Sequence, residues 1–324
     1  MCTAITYHTA DFYFGRTLDY DFSYDEKITV VPRNFPFPFR HLPQVNSHYA
    51  IIGIAFAVDG YPLFYDAVNE KGLAMAGLNF EGNAHYNSIT PKKDNIGSFE
   101  FIPWLLGCCE SVQEVRKQLK RTNMVNTAFS EKLPPSPLHW LVADKTEAIT
   151  VESTKEGLFV YDNLAGVLTN NPPFPQQQFQ LNNYMRLSAK DPDNCFSKKL
   201  DLQQYSRGMG AIGLPGDLSS QSRFVRAAFT KLNAVSEDTD EESVNQFFHI
   251  LGTVGQTKGC CQLENGQYEI TIYTSCCNAT KGIYYYTTYE NSRIGAVDMH
   301  KTDLDATEIT QFPLIRSAQF HWQN

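Results

Sequence analysis

Strand-like segments in this chain arrive in blocks instead of alternating with helices, and that order constrains the fold more than any other feature. Stretches rich in β-branched and aromatic residues, separated by turn residues, predict strands over 2–8, 12–18, 27–31, 49–58, 61–69 and 72–80. The segment 34–43 holds three prolines and three phenylalanines, which predicts an ordered covering loop. Helices follow over 98–106 and behind the capping box Ser111-Val-Gln-Glu114, where Val112, Val115 and Leu119 form a helical stripe. Strands return over 138–144, 148–153, 158–162 and 167–169. A second helical block covers 222–233 and 242–251. The latter follows the capping box Thr239-Asp-Glu-Glu242 and carries Val244, Phe247, Phe248 and Leu251 on one face. Strands close the pattern over 268–276, 282–289 and 293–299. A doubly wound parallel sheet needs strict alternation, so antiparallel sheets with helices segregated onto their outer faces are expected, an α+β arrangement. No repeat, low-complexity tract or linker interrupts the 324 residues, and one domain over 2–324 is the expectation.

Charge narrows the function. The formal net charge of -8 argues against a nucleic-acid or anionic-membrane surface, because phosphate contacts need clustered Lys and Arg. No apolar run approaches the roughly 20 residues that span a bilayer. The opening Met-Cys-Thr-Ala-Ile-Thr has no basic stretch followed by an apolar one, so a cytoplasmic protein without a signal peptide is expected. Eight cysteines are present: Cys2, Cys108, Cys109, Cys195, Cys260, Cys261, Cys276 and Cys277. Without an oxidising compartment or a C-x-x-C spacing, seven read as small packed hydrophobes rather than disulfides or zinc ligands.

Several motifs fail on context. Gly208-Met-Gly210-Ala-Ile-Gly213 matches G-x-G-x-x-G, but a polar run precedes it and Leu214-Pro-Gly-Asp217 breaks any following helix. It reads as a glycine-rich loop. There is no G-x-S-x-G elbow, phosphate loop or H-E-x-x-H helix. His139 lies in an apolar strand and His249 on an apolar helix face, and both are expected to be packed and satisfied.

Cys2 differs from the other cysteines by position. Loss of Met1 makes it the first residue. An ordinary thiol with a pKa of about 8.5 is only about a few per cent thiolate at pH 7. A terminal cysteine carries its own base, an α-amino group that titrates at about 7.7–8.0. One residue then supplies nucleophile and base together. While Met1 remains, that nitrogen is an amide and cannot act as a base. Phe14-Gly-Arg16-Thr-Leu-Asp19 sits one strand away in a hairpin. An Arg there favours thiolate, and an Asp can orient the amine.

Five motifs in collinear order carry a resemblance. They are Met1-Cys2-Thr, Phe14-Gly-Arg16-Thr-Leu-Asp19, Ala76-Gly-Leu-Asn79-Phe80, Leu168-Thr-Asn170-Asn-Pro172 and Gly213-Leu-Pro-Gly-Asp-Leu-Ser-Ser-Gln-Ser-Arg223-Phe224. Together they resemble the choloylglycine hydrolase family, from Cys2 to at least Glu290. The resemblance implies an N-terminal-nucleophile hydrolase fold, a four-layer αββα sandwich of two antiparallel sheets. It implies amide hydrolysis without metal or cofactor, with Cys2 as nucleophile and its freed amine as general base. By the same resemblance Asp19 holds that amine, and Arg16 and Arg223 place positive charge near the thiol and substrate. Asn170 and the backbone N–H of Asn79 form the oxyanion hole, where losing one donor costs about 100- to 1000-fold in rate.

The Leu78-Asn79-Phe80 form is similar to the branch of the family that cleaves conjugated bile acids; penicillin V acylases tend to carry Tyr at that position. A steroid needs a wide apolar pocket, and 22 Phe and 17 Tyr are available to line one. Leu18, Phe129 and Leu133 are the pocket candidates implied by similarity. The resemblance also implies a homotetramer. Penicillin V acylase, another N-acyl amide hydrolase, acyl transfer to amines, and a non-catalytic bile-acid or lipid binder stand as alternatives.

Overall fold

Period-two burial sets the layers. The computed structural model describes residues Met1–Asn324. Its strands are β1 (Cys2–His8), β2 (Phe12–Tyr20), β3 (Lys27–Val31), β4 (Ile51–Val58), β5 (Tyr61–Asn69), β6 (Ala74–Asn79), β7 (Asp94–Gly97), β8 (Thr122–Val125), β9 (Leu138–Ala143), β10 (Ala148–Thr154), β11 (Gly157–Asp162), β12 (Val167–Leu168), β13 (Ile270–Asn278), β14 (Ile283–Thr288), β15 (Gly295–Asp298) and β16 (Thr310–Pro313). Its helices are α1 (Phe101–Cys108), α2 (Val112–Leu119), α3 (Phe174–Gln180), α4 (Ser220–Asn233) and α5 (Asp240–Gly252). One antiparallel sheet has the order β12-β1-β2-β13-β14-β15, the other β11-β10-β9-β6-β5-β4-β3-β16.

In β6, Ala74, Ala76 and Leu78 join the core shared with the six-stranded sheet, while the outward-facing Met75 packs in the cluster built around α1 and α2. Both sides of that strand are therefore apolar, as a sheet covered on both faces requires. Phe224, Val244 and Phe247 of α4 and α5 cover the far side of the six-stranded sheet. The result is the αββα sandwich implied by the resemblance. Close approach of strands fixes Arg16 in this stack: a Cβ on its neighbour Gly15 would run into the Ser275 carbonyl of β13.

Both capping boxes cap helices. Ser111 Oγ accepts from Glu114 N at 3.4 Å, and Thr239 Oγ1 from Glu242 N at 3.3 Å. The segment 34–43 is a loop, and its Phe37 and Phe39 are buried against the outer cluster. The glycine-rich segment carries positive φ at Gly208 and Gly213, as a loop would.

Three readings need correction. His249 is exposed: it falls off the Val244–Phe247–Leu251 stripe, so the helical period turns it to solvent. The cysteines are not uniformly packed. Cys109, Cys276 and Cys277 are buried, but Cys108, Cys195 and Cys260 are exposed and Cys261 is half-buried. The sequence pattern also misses β7, β8, α3 and β16. These are short, and α3 reads Phe-Pro-Gln-Gln-Gln-Phe-Gln, with no apolar period to detect.

Candidate active site

Pairing of β1 with β2 places Cys2 opposite Leu18 and Ala4 opposite Arg16, so the hairpin brings Arg16 and Asp19 to the Cys2 end. Four other elements converge there. β6 ends at Asn79, β12 runs into Asn170, α4 carries Arg223, and β13 supplies Thr271. Cys2, Arg16, Asp19, Asn170 and Arg223 are all buried, whereas Asn79 is exposed.

Arg223 organises the group. Its Nη1 donates to the Cys2 carbonyl at 2.5 Å and to Thr3 Oγ1 at 2.7 Å. Its Nη2 donates to Asn170 Oδ1 at 2.8 Å, and its Nε to the Leu218 carbonyl at 3.0 Å. Its Nη1 lies 3.9 Å from Asp19 Oδ2. Burial lowers the Arg223 guanidinium from its usual value, against the pull of Asp19. Burial likewise pushes the Asp19 carboxyl up, and Arg223, the terminal ammonium, Thr271 and Thr17 oppose it. Thr271 Oγ1 donates to Asp19 Oδ1 at 2.6 Å and Thr17 Oγ1 to Oδ2 at 3.1 Å. Both carboxylate oxygens thus have donors, as a buried charge requires.

Arg16 is gripped by carbonyls. Its Nη1 donates to Gly77 O at 2.5 Å and Tyr65 O at 3.2 Å, and its Nε to Thr17 O at 3.1 Å. Burial alone would lower this guanidinium, but Cys2, Tyr273, Asp66 and Asp19 outweigh it and raise it. The charge is therefore permanent and sits between the two sheets.

The nitrogen of Cys2 donates to Asn170 Oδ1 at 2.8 Å. Asn170, not Asp19, is the side chain at hydrogen-bond distance from it. Asn170 Nδ2 donates to the Asn79 carbonyl at 2.8 Å, which commits one of its two N–H bonds and leaves the other. The Asn170 backbone is pinned too: its N–H donates to Ser220 Oγ at 2.8 Å and its carbonyl accepts from Gln177 Nε2. Phe80 N donates to Pro137 O, and Leu138 N donates to Tyr86 Oη. The alternation of an antiparallel ladder therefore turns the Asn79 amide away from β9, to the side where Asn170 stands.

Met1 is still attached and continues the β1–β2 pairing: its ammonium donates to the Asp19 carbonyl at 2.7 Å and its carbonyl accepts from Asp19 N at 3.0 Å. The ammonium also pairs with the buried Glu269. Burial lowers this amine from its ordinary value, with Cys2 and Asp19 opposing.

The pocket candidates separate. Leu18 is buried as the cross-strand partner of Cys2. Phe129 packs instead against Tyr61 and Phe99, with Arg40 5.6 Å from its ring, beside a cavity of about 250 Å³. Leu133 is half-buried on the same turn, accepting from Phe129 N at 3.1 Å. Sequence reasoning missed the aromatic face that begins beside Asp19. Tyr20, Phe22 and Tyr24 pack on one another, and Tyr24 on Phe56, all with exposed surface. The Tyr20-x-Phe22-x-Tyr24 spacing was the available signal. A cavity of about 740 Å³ lies at the other end of β1 around Thr6, His8 and Lys231. It holds none of the six residues singled out for chemistry.

A thiol that loss of Met1 makes terminal, on a strand next to the edge of an αββα sandwich and backed by two buried arginines and an Asp, is the arrangement of an N-terminal-nucleophile hydrolase. The chain belongs to the choloylglycine hydrolase family of linear amide C–N hydrolases, whose model matches residues 2–312. It is 58% identical over 324 residues to the bile salt hydrolase/transferase of Lactiplantibacillus plantarum, covering 100% of both chains. It is 39% identical to that of Clostridium perfringens, covering 96% of each. The crystal structure of a mutant conjugated bile acid hydrolase from C. perfringens superposes with a TM-score of 0.93 at 37% identity, over 100% of both chains. The penicillin V acylase of Agrobacterium tumefaciens shares the fold, with a TM-score of 0.75 at 19% identity over 96% of this chain and 90% of that one.

Proposed function

We propose that the protein, once Met1 is removed, hydrolyses the amide bond of glycine- or taurine-conjugated bile acids through a thioester on Cys2. The observation that carries the chemistry is the Arg223–Asn170–Cys2 array: one guanidinium holds both the Cys2 carbonyl and the amide oxygen that receives the Cys2 nitrogen. Full-length similarity to bile salt hydrolases carries the substrate.

The freed α-amine takes the proton of the Cys2 thiol, the sulfur forms a bond to the amide carbon, and the carbonyl electrons move onto oxygen. The N–H of Asn79 and the uncommitted N–H of Asn170 Nδ2 receive that oxyanion. Arg16 keeps positive charge beside the thiolate, Asn170 Oδ1 receives the Cys2 nitrogen, and Asp19 offsets the charge of Arg223 beside them. On collapse the C–N bond breaks, and the ammonium of Cys2 gives its proton to the departing nitrogen. The same amine then takes a proton from the water that attacks the thioester; the C–S bond breaks, the bile acid leaves, and the proton returns from the ammonium to the Cys2 sulfur. Leu18 and the aromatic face at Tyr20, Phe22 and Tyr24 offer apolar surface to the steroid, with Phe129 and Leu133 further out. Arg223 and Arg16 favour an anionic conjugate.

Taurocholate, glycocholate and penicillin V turnover by the processed protein tests this reading. Bile salt cleavage is expected to dominate, and a dominant penicillin rate would reassign the substrate. Amines can capture the same thioester, and two relatives named as transferases as well as hydrolases favour that second reading. Residues 2–324 act as one unit, since the site draws on Cys2 through Thr271. Exposed Phe179, Met185, Phe196, Tyr205 and Ile212 gather in one segment and suit a homotetramer, which light scattering checks. The site of action is the cytoplasm.

A further inference from the structure

Asp66 stands behind Arg16 and belongs to none of the roles above. It lies on β5 in the eight-stranded sheet and is 1% exposed. Its three donors all come from the opposite sheet. Tyr273 Oη donates to Oδ1 at 2.7 Å, Ser275 Oγ to Oδ2 at 3.1 Å, and Tyr284 Oη also to Oδ2. Ser275 Oγ in turn accepts from the backbone N–H of Arg16 at 3.1 Å. The guanidinium of Arg16 reaches back across the same gap, to the carbonyls of Tyr65, next to Asp66, and of Gly77, next to its cross-strand partner Ala76. Arg16 and Asp66 thus interlock the two sheets from opposite sides, each held by the other's sheet.

This arrangement does two things for the site. It balances charge, because the buried cations Arg16 and Arg223 face the buried carboxylates Asp19 and Asp66. It also fixes the sheets relative to each other where they share a site: Cys2 and Arg16 ride on the six-stranded sheet, Asn79 on the eight-stranded one.

We propose that Asp66 is a positioning residue for the Cys2 reaction, the buried counter-charge that holds Arg16 and pins the two sheets at the nucleophile. The inference rests on Cys2 being the nucleophile. The titratable and charged groups around Asp66 are Arg16 from β2, Tyr273 and Cys277 from β13, and Tyr284 from β14; those around Cys2 are Arg16, Arg223, Asp19 and the terminal amine. Burial raises the Asp66 carboxyl, and Arg16 with the three hydroxyls opposes that.

Two variants test it on the processed protein. In Asp66→Asn the site becomes one charge more positive. The pH midpoint for alkylation of Cys2 by iodoacetamide is expected to move down by about half a unit. The kcat for glycocholate is expected to fall about tenfold or more with KM within about threefold, since misplaced reacting groups cost rate before affinity. In the double variant Tyr273→Phe, Tyr284→Phe the charge stays and two hydroxyls go, so kcat is expected to fall with a smaller shift of the midpoint. An unmoved midpoint in a folded Asp66→Asn protein overturns the proposal, as does wild-type kcat. If Asp66→Asn does not fold, wild-type kcat in the double variant overturns it and a lowered kcat at unchanged KM supports it. Alkylation needs no bile salt, so a failed substrate assignment shows separately, as wild-type protein that is alkylated at Cys2 yet turns over no conjugate.

Discussion

At the Cys2 end of β1 the cation supplied by α4 is Arg223; at the other end, two turns along the same helix, it is Lys231. Both are tucked against β1. Arg223 has an acid in reach, Asp19, and donates four hydrogen bonds besides. Lys231 donates only to neutral oxygens, Thr6 Oγ1 at 2.9 Å and Ala165 O at 2.6 Å, and burial brings its amine down to about 8. The Lys231 end has a cavity of about 740 Å³ and the Cys2 end has the chemistry. A sizeable cavity by itself therefore does not mark this active site. What distinguishes the two ends is paired charge around a nucleophile, against a solitary cation at an open groove.

The largest effect that can break this contrast is loss of the nucleophile. Cys2→Ala is expected to reduce bile salt turnover by about ten-thousand-fold, while Lys231→Met leaves it within about twofold; comparable losses in both would dissolve the distinction between the ends. Next comes Asn170→Ala, expected to lower kcat by about 100- to 1000-fold through the oxyanion and the freed Cys2 nitrogen. A mere rise in KM in steady-state kinetics would remove Asn170 from the oxyanion site.

Stability separates the two cations. Arg223→Met leaves Asp19 buried without its cation and is expected to cost about 3–5 kcal/mol in denaturant unfolding. Lys231→Met removes an unpaired, half-buried charge and is expected to be neutral or stabilising. The sign with pH follows from the depressed amine. Below about 8 the native state carries the cost of a buried ammonium. Between about 8 and the ordinary value of 10.5 the native amine deprotonates first, and the cost disappears. The advantage of Lys231→Met should therefore shrink as pH rises through that window, and a constant gap would place the ammonium in water. The smallest effect is expected at the exposed thiols: Cys195→Ser should change unfolding free energy by less than about 0.5 kcal/mol.

Much of the sandwich was legible because period two and capping boxes are local. β1, β3 and β5 fall on their expected bounds, and Ser111 and Thr239 start their helices. The charged constellation was legible only through five motifs read together, since Arg16 and Arg223 are 207 positions apart and no local pattern joins them. Two features stayed hidden for physical reasons. Asp66 looks like an ordinary polar residue in a strand, and its meaning lies in hydroxyls from β13 and β14, more than 200 residues away. Exposure of Cys108 and Cys260 depends on where α1 ends and how a loop lies, neither of which composition records.

The seat of Met1 turns maturation into a race. Its ammonium is already bound by the Asp19 carbonyl and Glu269, and its own carbonyl is paired to Asp19 N. The site is thus assembled around a residue that must leave. An aminopeptidase needs a free, extended N-terminus, and β1 offers one only until it docks between β2 and β12. Trimming on the ribosome yields a chain that folds directly into the competent form. A chain that folds first is expected to hold its Met1–Cys2 bond within the β1–β2 pairing and to be activated only as fast as the β1 end frays.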